Sequence, residues 1–182
     1  KFLFIGVVAF HDLSLPQLLE LSHNSDMMLL IRFKDEVVNF VKSELRKCGL
    51  GKNKFNFQEL ILALKCAYQY QADPDIITLI NEVLVYGLWD ISNDEEIESF
   101  KTLPFNCLKD IFTIDSTYLS FLTPKQRFDS FIIWLSENEA TEDQKKEIVK
   151  FFYFEEFTVK ELITSVRDSG LYPTSKIDER LL

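Results

Sequence analysis

The chain has 182 residues, of which 47% are hydrophobic and 27% charged, enough to bury a core and too apolar for disorder along its whole length. Twenty Lys and Arg against 29 Asp and Glu leave a formal net charge of −9, which repels a phosphate backbone and weighs against nucleic acid and anionic membranes as partners. With 17 Phe against 5 Gly and 5 Pro, bulky apolar groups outnumber breakers, favouring long helices over many short strands.

The first apolar run, residues 2–10, is about half of the roughly 20 residues a bilayer span requires. A lone Lys1 is a weak n-region for a signal peptide, so the chain reads as soluble. It begins at Lys and is expected to be a piece of something longer. Phe4-Ile5-Gly6-Val7-Val8-Ala9-Phe10 is rich in β-formers, although the surrounding pattern favours helix. Asp35-Glu36 is expected to open a helix carrying Val37, Val38, Phe40, Val41 and Leu45 and closing at Cys48-Gly49. Asn56 opens another with Leu60, Ile61, Leu64 and Tyr68. Residues 75–85 and 93–100 add two more, the latter with Asp94, Glu95 and Glu96 at its positive end.

Capping boxes, in which a hydroxyl accepts orphan amides and an acid or amide reaches back, recur in the second half. They are Thr123-Pro124-Lys125-Gln126, Thr141-Glu142-Asp143-Gln144 and Thr158-Val159-Lys160-Glu161. Helical stripes follow: Phe128, Phe131, Ile132 and Leu135 after the first, then Leu162, Ile163 and Val166 after the third, ending at Ser169-Gly170.

Self-comparison shows a duplicated pattern. Placing Phe10-His11-Asp12-Leu13 over Phe100-Lys101-Thr102-Leu103 stacks, without a gap, Leu15 on Phe105, Leu18 on Leu108, Leu21 on Ile111, Val38 on Phe128, Val41 on Phe131 and Leu45 on Leu135. In a longer register, Phe55-Asn56-Phe57-Gln58-Glu59-Leu60-Ile61 stacks on Phe157-Thr158-Val159-Lys160-Glu161-Leu162-Ile163. The second copy therefore carries an extra helix, about residues 141–152, where the first has a short turn at residues 49–53. The bland alternative is that any two amphipathic helices can be aligned. The expected fold is all-α, an array of antiparallel helix pairs in two repeats, residues 1–88 and 89–182.

Chemistry is sparse. His11 and His23 lie in no H-E-x-x-H pattern and beside no suitably spaced Cys or Ser. Cys48, Cys66 and Cys107 are odd in number and widely spaced, suggesting neither disulfides nor zinc, and the cytoplasm or nucleus as compartment. Glycine loops for phosphate are absent, and Asp73-Pro74-Asp75 and Asp94-Glu95-Glu96 are explained by helix N-termini. No catalytic residue, metal or cofactor is expected. Trp89 lies between the two copies and Tyr68, Tyr70, Tyr153 and Tyr172 near helix ends, aromatics that suit interfaces, and Trp89 and Trp134 are candidates for packing between repeats.

Phe100-x-x-Leu103-Pro104-x-x-x-Leu108, then Thr123-Pro124-Lys125-Gln126-x-Phe128-x-x-Phe131-x-x-Trp134-Leu135, Phe152-Tyr153-Phe154 and Ser169-Gly170-Leu171-Tyr172-Pro173 resemble the BACK domain that follows BTB domains in BTB-Kelch proteins. The resemblance covers about residues 100–177. The first copy is similar at residues 10–38, but it has no Trp at the end of its second helix and no Ser-Gly-Leu-Tyr-Pro tail. The resemblance implies a non-enzymatic adaptor, preceded by a BTB domain, whose helices hold a cullin scaffold for ubiquitination. The aligned contact candidates are Phe10, Leu13, Leu18 and Leu21, or Phe100, Leu103, Leu108 and Ile111, although such a residue taken singly is more often core than contact. Two rivals stand beside it: a homo-oligomerising helical scaffold that closes an apolar stripe in a dimer, and a helical enzyme using its acidic clusters, which loss of a metal-dependent activity on Asp94→Asn would reveal.

Overall fold

Helix caps and apolar stripes together define the architecture. The computed structural model describes residues 9–48, 55–87, 93–114 and 122–181 and is all-α, with no strand among the described residues. The expectations for residues 4–8 and for the turn at 49–53 lie outside them. The chain divides into two compact units, Lys1–Leu84 and Val85–Leu182.

In the first unit a 3-10 turn, Phe10–Asp12, leads into α1, Leu15–Met27. Ser14 caps α1 reciprocally: its hydroxyl accepts the Gln17 amide, while Gln17 Oε1 accepts the Ser14 amide at 2.9 Å. Leu15, Leu18 and Leu19 face inward, and α1 packs on both α2, Ile31–Cys48, and α3, Phe57–Gln69. The second helix begins at Ile31, ahead of the Asp35-Glu36 start read from the sequence. Leu29 adopts a left-handed conformation, φ 58°, which closes α1 so abruptly that the chain re-enters a helix within two residues. Asp35 and Glu36 are thereby exposed on the early turns of α2 and do not cap it.

Asn56 Oδ1 caps α3 by accepting the Glu59 amide at 2.8 Å. The Glu59 carboxylate does not turn back on its own cap; it accepts the Leu15 amide at 2.8 Å, tying the starts of α1 and α3 together. Before α4, Pro74–Gly87, Asp73 Oδ1 accepts the Asp75 amide at 2.9 Å. Lys42 of α2 bridges both acids, at 3.0 Å to Asp73 and 2.8 Å to Asp75.

The second unit contains α5 (Asp94–Lys101), α6 (Phe105–Thr113), α7 (Pro124–Leu135), α8 (Glu142–Val149), a 3-10 turn at Phe154–Glu156, α9 and α10 (Thr174–Leu181). Helix α9 comprises Val159–Glu161, a π-helical stretch Leu162–Val166, and Arg167–Ser169, and it stops at Gly170, φ 67°. Thr123, Thr141 and Thr158 cap α7, α8 and α9, as their sequences predict, and Asn93 caps α5. Helix α5 packs on α7 and α6 on α8. The core is aromatic: Phe128 meets Phe152, Phe154 and Phe157 edge-on at 5.5, 6.1 and 6.0 Å, and Phe112 meets Phe131 and Phe152 likewise.

The aligned segments share local geometry. The Leu13 amide donates to the Phe10 carbonyl at 3.2 Å, and the Leu103 amide to that of Phe100 at 3.1 Å. Leu18 donates to Ser14 at 3.0 Å, and Leu108 to Pro104 at 3.1 Å. Val37, Val41 and Glu44 are buried at the positions that Arg127, Phe131 and Trp134 occupy in the other unit. Asn56 and Thr158 cap equivalent helices, although Ile61 is buried and its counterpart Ile163 exposed.

Candidate interaction surface

The eight aligned contact candidates fall into two sets. Leu18, Phe100, Leu103, Leu108 and Ile111 are fully buried, because a stripe of helical period turns toward the core of its own unit. As core residues they are withdrawn as partner contacts. Phe10, Leu13 and Leu21 are half-buried. The Phe10 ring rests on Phe33 and Phe40 of α2, at 5.9 and 5.4 Å, and His11 meets Phe40 edge-on at 4.9 Å. What remains to meet a partner is the 3-10 turn and the neighbouring face of α1.

Trp134 is buried among residues of its own unit. Its indole N–H donates to the Leu103 carbonyl at 2.8 Å, and its ring lies nearly parallel to Phe131, 6.2 Å away, with Phe105 at 6.1 Å. It therefore anchors α7 to the turn before α6 inside its own unit. Trp89 lies outside the described residues.

The titratable groups are held in structural arrangements. No cluster of His, Cys, Asp and Glu among the described residues could hold a metal ion. Cys48 and Cys107 are buried, and burial pushes up the half-buried Cys66 thiol, with Glu20 adding to the effect, so its reactive thiolate is disfavoured. His23 stacks on Tyr70 at 4.9 Å, and the Tyr70 phenol is pushed up by burial and then by the Glu20 charge. Lys42 holds the Asp75 carboxyl below its usual range, and the Thr158 amide does the same for Glu161. Burial alone pushes up Glu82 and Asp110. An ion pair and a helix cap thus govern Asp75 and Glu161, and burial governs Cys66, Tyr70, Glu82 and Asp110.

Two features were not read from the sequence. Arg127 is buried, with its Nε unpaired and Glu156 Oε2 at 3.9 Å from its guanidinium. More prominent is the turn between α1 and α2. Met27, Met28, Leu29 and Ile31 are 73, 60, 81 and 66% exposed, an apolar knob on an otherwise charged surface. The signal was present as an unbroken apolar run, Met27-Met28-Leu29-Leu30-Ile31, which breaks helical periodicity and so cannot all face inward. Leu62 and Tyr153 are exposed as well, each on its own segment, as are Val159 and Ile163, four residues apart on α9. No described helix is long and apolar enough to cross a membrane.

The chain matches no family model, no curated protein and no solved structure.

Proposed function

We propose that this chain is a non-enzymatic protein interaction module, a BACK-like helical spacer of a BTB-type adaptor that positions substrates on a cullin ubiquitin ligase. The observation that carries this reading is the repeated entry geometry. In each unit a Phe-x-x-Leu turn closes by the same backbone bond and feeds a helix whose next leucine is buried. The sequence resemblance, strongest in the second unit, supplies the adaptor role. Engagement of the cullin falls to the surface left by the buried stripe, namely Phe10, Leu13 and Leu21.

The test is capture of the cullin by the full parent protein, comparing wild type with Leu13→Asp and Leu21→Asp. Circular dichroism would verify that each variant folds. Loss of cullin in a folded variant supports the adaptor; no capture by wild type overturns it.

A second reading is a homo-oligomerising helical scaffold with no link to ubiquitination. It is favoured by the exposed apolar turn between α1 and α2, which the adaptor reading does not use.

A further inference from the structure

The α1–α2 turn leaves its apolar side chains outward on a fixed backbone. The Met28 amide donates to Asn24 at 3.0 Å, Leu29 to Asp26 at 3.0 Å and Leu30 to Ser25 at 2.8 Å, so three consecutive amides are bonded back into α1. Lys34 of α2 crosses the turn to Asp26 at 2.8 Å and pins the two helices beside it. Leu29 occupies a left-handed conformation that disfavours a branched residue, yet its side chain is the most exposed of the four. Gln71 closes α3 with the same left-handed stop and the same three bonds, so what sets the α1–α2 turn apart is the apolar character of its exposed side chains.

The charges beside the knob indicate what covers it. Arg32, Asp35 and Glu36 follow Ile31 on the exposed side of α2, and no side-chain hydrogen bond or ion pair joins any of them to another described residue. Arg32 and Glu36 are spaced for a pair along the helix, but they do not make one. One unpaired cation and two unpaired acids beside a single apolar knob form a self-complementary set. A two-fold axis near Ile31 would set the Arg32 of each copy toward the acids of the other. The four side chains expose several hundred Å² of apolar surface, the upper end of what a monomer leaves uncovered. Symmetric pairing would roughly double this, to about 1,000 Å², the lower bound for a specific interface.

We propose that the α1–α2 turn, Met27, Met28, Leu29 and Ile31 with Arg32, Asp35 and Glu36, is an isologous docking surface for a second copy of this chain. The assignment deepens the scaffold reading and rests on it for self-association alone; it is independent of the adaptor role. An interface near this lower bound belongs with weak, transient associations.

The test is sedimentation equilibrium of the full chain across about 1–200 μM at 0.15 M salt, where repulsion between two net-negative copies is screened beyond about 8 Å. Wild type should dimerise. Ile31→Asp and Leu29→Asp, at exposed sites outside the core, should weaken the dimer at least tenfold. Leu62→Asp, also exposed but on α3, should leave it unchanged. Arg32→Glu should weaken the dimer, and the double variant Arg32→Glu/Glu36→Arg should regain it. A wild type that is monomeric throughout overturns both this surface and the scaffold reading. A dimer indifferent to Ile31→Asp and Leu29→Asp overturns the surface and leaves the scaffold reading standing.

Discussion

Replacing Trp134 with Phe keeps a flat ring against Phe131 and removes one buried hydrogen bond. The indole N–H donates to the Leu103 carbonyl at 2.8 Å, and both residues are almost completely buried. Taking away the donor leaves that carbonyl without its partner in a dry site, costing roughly 1–3 kcal/mol. The smaller ring opens a void beside Phe105 and Phe131, which adds about 1 kcal/mol. Together the loss is about 2–4 kcal/mol, a large share of the roughly 5–15 kcal/mol that holds a typical domain folded. For a unit of this size it should lower the melting temperature by about 10–20 °C. Urea unfolding followed by far-ultraviolet circular dichroism measures it directly, with the slope verifying that the transition remains comparable. A change below about 0.5 kcal/mol at constant slope would refute the placement of Trp134 as the anchor between α7 and the turn before α6.

Lys42→Met should destabilise the first unit most at neutral pH. Asp75 titrates below its ordinary value because of Lys42, so its contribution is present above that ordinary value and is lost as pH falls through the depressed one. Lys42 is itself raised, by its bond to Asp75 foremost, so its contribution holds below its ordinary value and is lost as pH rises through the raised one. Melting temperatures of wild type and variant should therefore differ at pH 7 and converge at both extremes; a constant offset would contradict the ion-pair account. Glu59→Ala should cost about 1–2 kcal/mol in urea unfolding because it strands the part-buried Leu15 amide, whereas Glu161→Ala, at an exposed capping box, should cost roughly 0.5–1 kcal/mol. Equal costs would contradict the division of roles between these aligned acids. Gly170→Ala should cost about 1 kcal/mol through backbone strain alone, since an added Cβ meets nothing within 4 Å. An unchanged unfolding midpoint would show that the left-handed stop is not needed there.

Local chemistry was readable from the sequence wherever a few adjacent residues decide the outcome. The caps at Thr123, Thr141 and Thr158 and the stop at Gly170 depend on side chains within one helical turn, so their patterns translate directly into bonds. The start of α2 was misread because the left-handed residue is Leu29, and nothing in a run of Met and Leu announces a turn that glycine usually makes. The π-helical stretch at Leu162–Val166 has no compositional mark either. Contacts distant in the chain were invisible: Glu59 on the Leu15 amide, Lys42 on Asp73 and Asp75, and the indole of Trp134 on Leu103 each join segments that periodicity treats separately.

The contact candidates show why an apolar pattern alone does not find an interface. Leu18 and Leu108 obey the helical period and are buried for that reason, while Met27, Met28, Leu29 and Ile31 break it and are exposed. A hydrophobic residue in phase with its helix reports the core of its own unit. One out of phase has no intramolecular place to go and points to a surface of association.

The adaptor reading is tested most directly by hydrogen exchange on the full parent protein, with and without the cullin that serves BTB adaptors. The account predicts slower exchange at the Phe10–Asp12 turn and along α1, with amides elsewhere in the first unit unaffected. Exchange unchanged throughout the chain at saturating cullin would contradict it.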